Sequence, residues 1–200
     1  MAWSQEKRDE NVPRRASNLN LPNALSVSRM LLAPVIAVYL RDDDRRRNAM
    51  AAAAVLAAAA TDYLDGHLAR KQGKETRLGQ FLDPLADKVC LSTAFVMLAV
   101  RGRLAAWIPG LIIGREALMT LFRVYAGSRG SSVPASIWGK LKTNSQLLAL
   151  LMVIMEREEE PYATLEKAAV ALAVALTLYS GLDYMRKASR YLAEPGDARD

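Results

Sequence analysis

Four aspartates, with two glycines and an arginine set among them, are the residues of this chain best suited to chemistry. They read Asp62-x-x-Asp65-Gly66-x-x-Ala69-Arg70, then eight residues, then Gly79-x-x-x-Asp83-x-x-x-Asp87. Helix positions three or four apart share a face, with Cβ atoms about 5–6 Å apart. Asp62 and Asp65 therefore form one pair, and Asp83 and Asp87 another. Crowded carboxylates resist joint ionisation. A hard divalent cation removes that conflict, because carboxylate oxygens are ligands that Mg²⁺ prefers. Two facing pairs could hold two ions, an arrangement that displaces groups at phosphorus. Gly66 and Gly79 allow close approach to the backbone, and Arg70 offers a planar fork suited to phosphate. Either pair alone reads more simply as solvated helix-end acids. The whole set, placed between apolar helices, points to a functional site.

The elements that must carry these residues are apolar. The chain has 200 residues, enough for one domain, and 52% are hydrophobic against 24% charged. That average does not mark a membrane protein, but the apolar residues come in blocks. A net charge of +6 suits anionic lipid head groups or nucleotides. Nucleic acid is not expected as a partner, because the basic residues flank apolar blocks instead of forming an arm of their own. The single cysteine, Cys90, excludes an internal disulfide. A polar start and a late first apolar block argue against a cleavable signal.

Residues 1–20 read as a polar, basic cytoplasmic arm, in place on the membrane surface or free of it. Residues 21–190 read as one transmembrane domain and 191–200 as a polar tail. Apolar blocks are expected at 24–40, 48–64, 85–100, 104–125, from Lys140 and Lys142 to 155, and 163–184. Each is near the roughly 20 residues needed to cross a bilayer. The alanine-rich second block suits close helix packing. A basic loop is expected at 70–77 and a helix start at Asp83-Pro84. The short loop puts both acid pairs at one membrane face. Because backbone polar groups must be satisfied within each span, the predicted fold is all-α: a polytopic six-transmembrane-helix bundle. Basic residues in the arm, the 70–77 loop, the 126–142 region and the tail orient both ends and the aspartates to the cytoplasm. The arginines of the 41–47 link, with Arg101 and Arg103, lie on the opposite side and conflict with that rule.

The pattern Asp62-x2-Asp65-Gly66-x2-Ala69-Arg70-x8-Gly79-x3-Asp83-x3-Asp87 resembles, without departure, the signature of the CDP-alcohol phosphatidyltransferases. Eight positions and every spacing agree. The segment from Leu21-Pro22-Asn23 to Ser26 and Arg29 is similar to the bacterial phosphatidylglycerophosphate synthase branch. So are Leu82-Asp83-Pro84-x-Ala86-Asp87-Lys88, Gly114-Arg115-Glu116 and the run Ser136 to Thr143. The resemblance implies CDP-diacylglycerol as donor, CMP as leaving group, and a multi-pass protein of the bacterial inner membrane among membrane lipids. It implies Asp62, Asp65, Asp83 and Asp87 as ligands for Mg²⁺ or Mn²⁺, two ions in all. Asp87 would be a metal ligand, the catalytic base, or both. Asn23, Ser26, Gly66, Arg70, Thr76 and Gly79 would meet the CDP-diacylglycerol. A homodimer accords with the same resemblance. His67, the only histidine, occupies a free position of the pattern and is not expected to be catalytic.

The resemblance favours sn-glycerol 3-phosphate as acceptor. Its phosphate needs a basic pocket, for which Arg115, Arg123, Lys140 and Lys142 are the candidates. Each could instead snorkel to the interface, and Arg115 could simply pair with Glu116. Inositol phosphate, serine or phosphatidylglycerol as acceptor would use the same donor half. A non-catalytic cation-binding membrane scaffold would need the acids but not Gly66, Arg70 and Gly79. A soluble basic helical protein is a third reading, which extraction without detergent would select.

Overall fold

The computed structural model describes the backbone of residues 21–72, 77–128, 137–155 and 159–193. Side chains are described for 27–63, 88–126, 137–155 and 159–187. The described residues form six α-helices: α1 Leu21–Tyr39, α2 Arg45–Gln72, α3 Arg77–Val100, α4 Trp107–Ser128, α5 Ile137–Met155 and α6 Tyr162–Ala193. There is no strand among them. Helix α1 packs chiefly against α3 and then α2, α5 against α6, and α2 reaches α5, while α4 touches α3 and α6.

Two boundaries differ from the sequence reading. The expected 70–77 loop is helical to Gln72 and again from Arg77. Ala69, Arg70, Lys71 and Gln72 are all good helix formers, so α2 has no cause to stop before Gly73. Asp83-Pro84 does not start α3 but lies within it, more than a turn past Arg77. Residues 73–76, between the two helices, lie outside the described residues.

The sequence dictates which faces are buried. In α1 the buried positions are Arg29, Ala33 and Ile36, and Leu40 just past its end continues the spacing of three and four. In α5 they are Lys142, Ser145, Gln146, Ala149, Leu150, Val153 and Ile154. In α6 they are Ala169, Ala173, Thr177, Ser180, Gly181 and Tyr184. Each is one stripe of a 3.6-residue helix. Ile36, Leu40, Val55, Phe95, Leu98, Ile112, Leu150 and Ile154 meet in one apolar cluster. Small residues such as Ala51, Ala52, Ala58, Ala94 and Ala173 allow the backbones to approach closely.

These stripes change character along their length. The start of α5 buries Lys142 and Gln146, and its end buries Val153 and Ile154. Helix α6 runs the other way, from Ala169 and Ala173 to Thr177 and Ser180. Tyr162, at the start of α6, donates its hydroxyl to the Met152 carbonyl at 2.9 Å, which fixes α5 and α6 as antiparallel. Arg29, Asp62, Lys88, Arg115, Lys142 and Ser180 belong to one end of the bundle. Each of these helices brings its polar segment to that end.

The opposite end is closed by ion pairs. Arg101 pairs with Asp43 and donates to the Asn48 side chain at 2.8 Å, and Arg47 pairs with Asp42. Asp44 caps α2 by accepting from the Arg46 amide at 3.1 Å. Gly102, at φ +71°, makes the turn that returns Arg101 towards the 41–47 link. Arg47 and Arg101, which conflict with the expected orientation, are thus held by carboxylates of the link itself.

The outer surface is apolar. Leu31, Val38, Val100, Leu121, Val124 and Ile137 are each more than 60% exposed. Arg29 and Lys142, in contrast, are buried. One helical stretch among the described residues, Tyr162–Lys187, is long and apolar enough by itself to cross a membrane.

Candidate active site

The first acid pair is carried by α2 and the second by α3, two helices in contact. Asp62 is the aspartate whose side chain is described. It is half-exposed and forms an ion pair with Arg29 of α1, whose side chain is only 1% exposed. The Arg29 carbonyl accepts from the Cys90 thiol of α3 at 2.9 Å. One residue of α1 thereby ties α2 to α3 beside the signature segment.

Asp62 also lines a cleft of about 170 Å³ between α2, α3 and α5. Val55, Ala58, Leu91 and Leu147 form its apolar wall. Thr143 and Asn144 of α5 are polar neighbours of Asp62 in the same cleft. A carboxylate at the rim of an apolar cleft suits a ligand with a charged head and a greasy body.

Asp65, Gly66 and Arg70 lie on α2, and Gly79, Asp83 and Asp87 on α3. Their side chains are outside the described residues, as are those of Asn23 and Ser26 on α1. Thr76 lies wholly outside. By backbone placement, Asp62 and Asp65 are three apart on one helix, and Asp83 and Asp87 are four apart on its neighbour. This is a donor set of hard oxygens from two contacting helices, and it fits a divalent cation of the Mg²⁺ type.

The basic candidates divide. Arg115 and Lys142 meet at Glu116: Arg115 Nη1 donates to Glu116 Oε1 at 2.8 Å, and Lys142 Nζ donates to the same oxygen. The alternative of an Arg115–Glu116 pair is therefore realised, within a larger cluster. Arg123 lies elsewhere, its guanidinium 5.8 Å from the ring centre of Tyr184, a cation–π distance. Tyr184 packs edge-on against Phe122 at 5.7 Å. Lys140 is exposed.

Sequence reasoning missed Lys88, Thr120 and Ser180. Lys88 Nζ lies 3.8 Å from Glu116 Oε2 and donates to the Thr120 hydroxyl. Arg115 Nη2 donates to Ser180 Oγ at 3.2 Å. The available signal was an ionisable residue inside an apolar helix, which Lys88 satisfies. The carboxylate partner of Arg29, Asp62, is likewise not evident from the sequence. The partners are 33 residues apart and no local spacing links them.

The family model for CDP-alcohol phosphatidyltransferase matches residues 19–179. A CDP-diacylglycerol–glycerol-3-phosphate 3-phosphatidyltransferase of Pseudomonas fluorescens is 37% identical, over 89% of this chain and 94% of that protein. Proteins of the same name are 34% identical in Bacillus subtilis and 36% in Haemophilus influenzae. These matches cover 84% and 88% of this chain, and 94% and 96% of the relatives.

Proposed function

The chain belongs to the CDP-alcohol phosphatidyltransferase family, and on that premise we propose the following reaction. It transfers the phosphatidyl group of CDP-diacylglycerol to sn-glycerol 3-phosphate, releasing phosphatidylglycerophosphate and CMP. The enzyme class follows from the family, and the acceptor is the one named for the relatives. One observation carries the reading. The two halves of the aspartate signature ride on contacting helices, at the bundle end where Arg115 and Lys142 also meet.

Asp62, Asp65, Asp83 and Asp87 would hold two Mg²⁺ ions, or Mn²⁺. Such ions, when bound, neutralise pyrophosphate charge and steady the leaving group. The chain's own residues do the rest. Gly66 and Gly79 admit the pyrophosphate close to the backbone. Arg70, Thr76, Asn23 and Ser26 bind the CDP moiety. Asp87 takes the proton as the acceptor hydroxyl attacks the lipid-side phosphorus. The new phosphorus–oxygen bond forms as the bond to CMP breaks, in line, so positioning is the main demand on the protein. Arg115 and Lys142 receive the acceptor phosphate, with Arg123 and Lys140 drawing it in from the surface.

The six helices form a multi-pass bundle in the bacterial inner membrane, with the site facing the cytoplasm. The shortest helices, α1 and α5, have 19 residues each. At 1.5 Å per residue they reach about 28 Å, close to the thickness of the hydrocarbon core. Charged termini lower the average hydropathy of α2, yet Val55 and Ala58 fill its middle. The exposed apolar surface fits lipid as its solvent.

The test is CMP release by detergent-purified protein with CDP-diacylglycerol and Mg²⁺. Glycerol 3-phosphate is compared with inositol phosphate, serine and phosphatidylglycerol. Release with glycerol 3-phosphate alone is the expected result. Release with another acceptor overturns the acceptor half of the reading and leaves the donor half standing.

A further inference from the structure

We infer that Glu116 is a positioning residue, whose carboxylate gathers Lys88, Arg115 and Lys142 into one preformed cradle for the acceptor's phosphate. The inference rests on the proposed phosphate-bearing acceptor. It assigns a role to a carboxylate, a group that would ordinarily repel that phosphate.

Arg115 and Lys142 both bond Glu116 Oε1, so two cations share a single oxygen. Lys88 approaches the other oxygen at 3.8 Å. Lys142 and Arg115 are 5% and 14% exposed, so their charges are largely out of water. Two cations on one carboxylate leave positive charge that an arriving dianion can neutralise. A pair built for stability alone would match the charges one to one, since uncompensated buried charge is costly.

Without Glu116 the cations would repel and splay apart. With it, they come from α3, α4 and α5 to one point before any ligand arrives. Two tethers hold the arrangement. Arg115 Nη2 donates to Ser180 Oγ of α6 at 3.2 Å. Lys88 donates to Thr120, whose hydroxyl donates in turn to the Glu116 carbonyl at 2.8 Å. Lys88 directly follows Asp87 on α3, so one peptide bond joins the cradle to the last acid of the signature. Preorganisation of this kind lowers the cost of binding, because the side chains are ordered beforehand.

The experiment uses the full-length protein, with each substrate varied in turn. Glu116→Gln is expected to raise KM for glycerol 3-phosphate by about tenfold or more. KM for CDP-diacylglycerol should stay within about twofold, because the donor half is untouched. Inorganic phosphate, as a competitor of the acceptor, should weaken by the same factor as glycerol 3-phosphate. Glu116→Asp should recover part of the loss. A merely structural carboxylate would instead lower kcat and leave the two KM values in step, and that result overturns the inference. So does an unmoved acceptor KM. Should Glu116→Gln fail to fold, Ser180→Ala is read by the same criterion, with a rise of about threefold expected from losing one neutral hydrogen bond. Wild-type protein that uses serine but not glycerol 3-phosphate would sink the acceptor reading itself, before any variant is made.

Discussion

Arg29 and Asp62 join α1 to α2 through an ion pair whose two ends differ sharply in exposure, 1% for the guanidinium and 47% for the carboxylate. A buried guanidinium needs a counter-charge more than a half-exposed carboxylate does. Asp62 therefore has two tasks: it is the first acid of the signature, and it balances a charge in the core.

Asp62→Asn should consequently cost more than activity. CMP release is expected to be lost, and the melting temperature should fall as well. Removing one partner of a buried pair costs about 3–5 kcal/mol, and the exposed end reduces this to about 2 kcal/mol. That corresponds to a fall of roughly 4–8 °C for a chain of this size. The double variant Arg29→Met with Asp62→Asn should recover part of the melting temperature and none of the CMP release. If both quantities recover together, Asp62 is only a counter-charge and the metal assignment to it is wrong.

Asp87→Asn should behave differently. Asp87 is the last acid of the signature and the proposed base, so CMP release should drop by about a thousandfold or more. The variant should melt within about 2 °C of wild type, because the change is isosteric and Asp87 is assigned the proton transfer and not a structural role. A Tm drop as large as that of Asp62→Asn would make Asp87 a structural residue.

The contrast between these aspartates marks where the sequence was informative. The apolar blocks located the six described helices, whose buried faces form stripes of period 3.6 in α1, α5 and α6. The joint between α2 and α3 was misplaced. Asp83-Pro84 has local chemistry that suggests a helix start, yet the residues before it are already helical and α3 runs through it. Pairs distant in sequence were not legible. Arg29–Asp62, Arg101–Asp43 and Lys142–Glu116 depend on which helix lies beside which. An adjacent pair, Arg115–Glu116, could be read. Its enlargement by Lys88 and Ser180 could not.

Chelation is expected to stop the reaction reversibly. EDTA should reduce CMP release by at least about a hundredfold, with Mg²⁺ or Mn²⁺ restoring it. Asp65→Asn and Asp83→Asn should each move the Mg²⁺ concentration for half-maximal rate upward by roughly tenfold, because site affinity follows the number of charged ligands. A titration that leaves this midpoint in place for both variants argues against carboxylate ligation from these positions.

The α5–α6 contact offers a test of how the cation cluster is supported. Gln146 Nε2 donates to Thr177 Oγ1 at 2.8 Å, and the Thr177 hydroxyl donates to the Ala173 carbonyl. Ser180, which accepts from Arg115, donates its own hydroxyl to the Thr177 carbonyl at 3.1 Å. Thr177→Val keeps the shape and leaves the Gln146 amide without its acceptor, deep in an apolar interface. In water-soluble cores such an orphan costs about 1–3 kcal/mol, whereas interhelical hydrogen bonds in membranes average about 0.6 kcal/mol. The expected loss is therefore about 1 kcal/mol, or roughly 2–4 °C. Gln146→Leu combined with Thr177→Val should be less destabilised than Thr177→Val alone, since no polar group is then left unpaired. KM for the acceptor should stay near wild type in both, because Arg115 keeps its bonds to Glu116 and Ser180. A KM shift comparable to that of Glu116→Gln would show that Thr177 positions the cradle through Ser180.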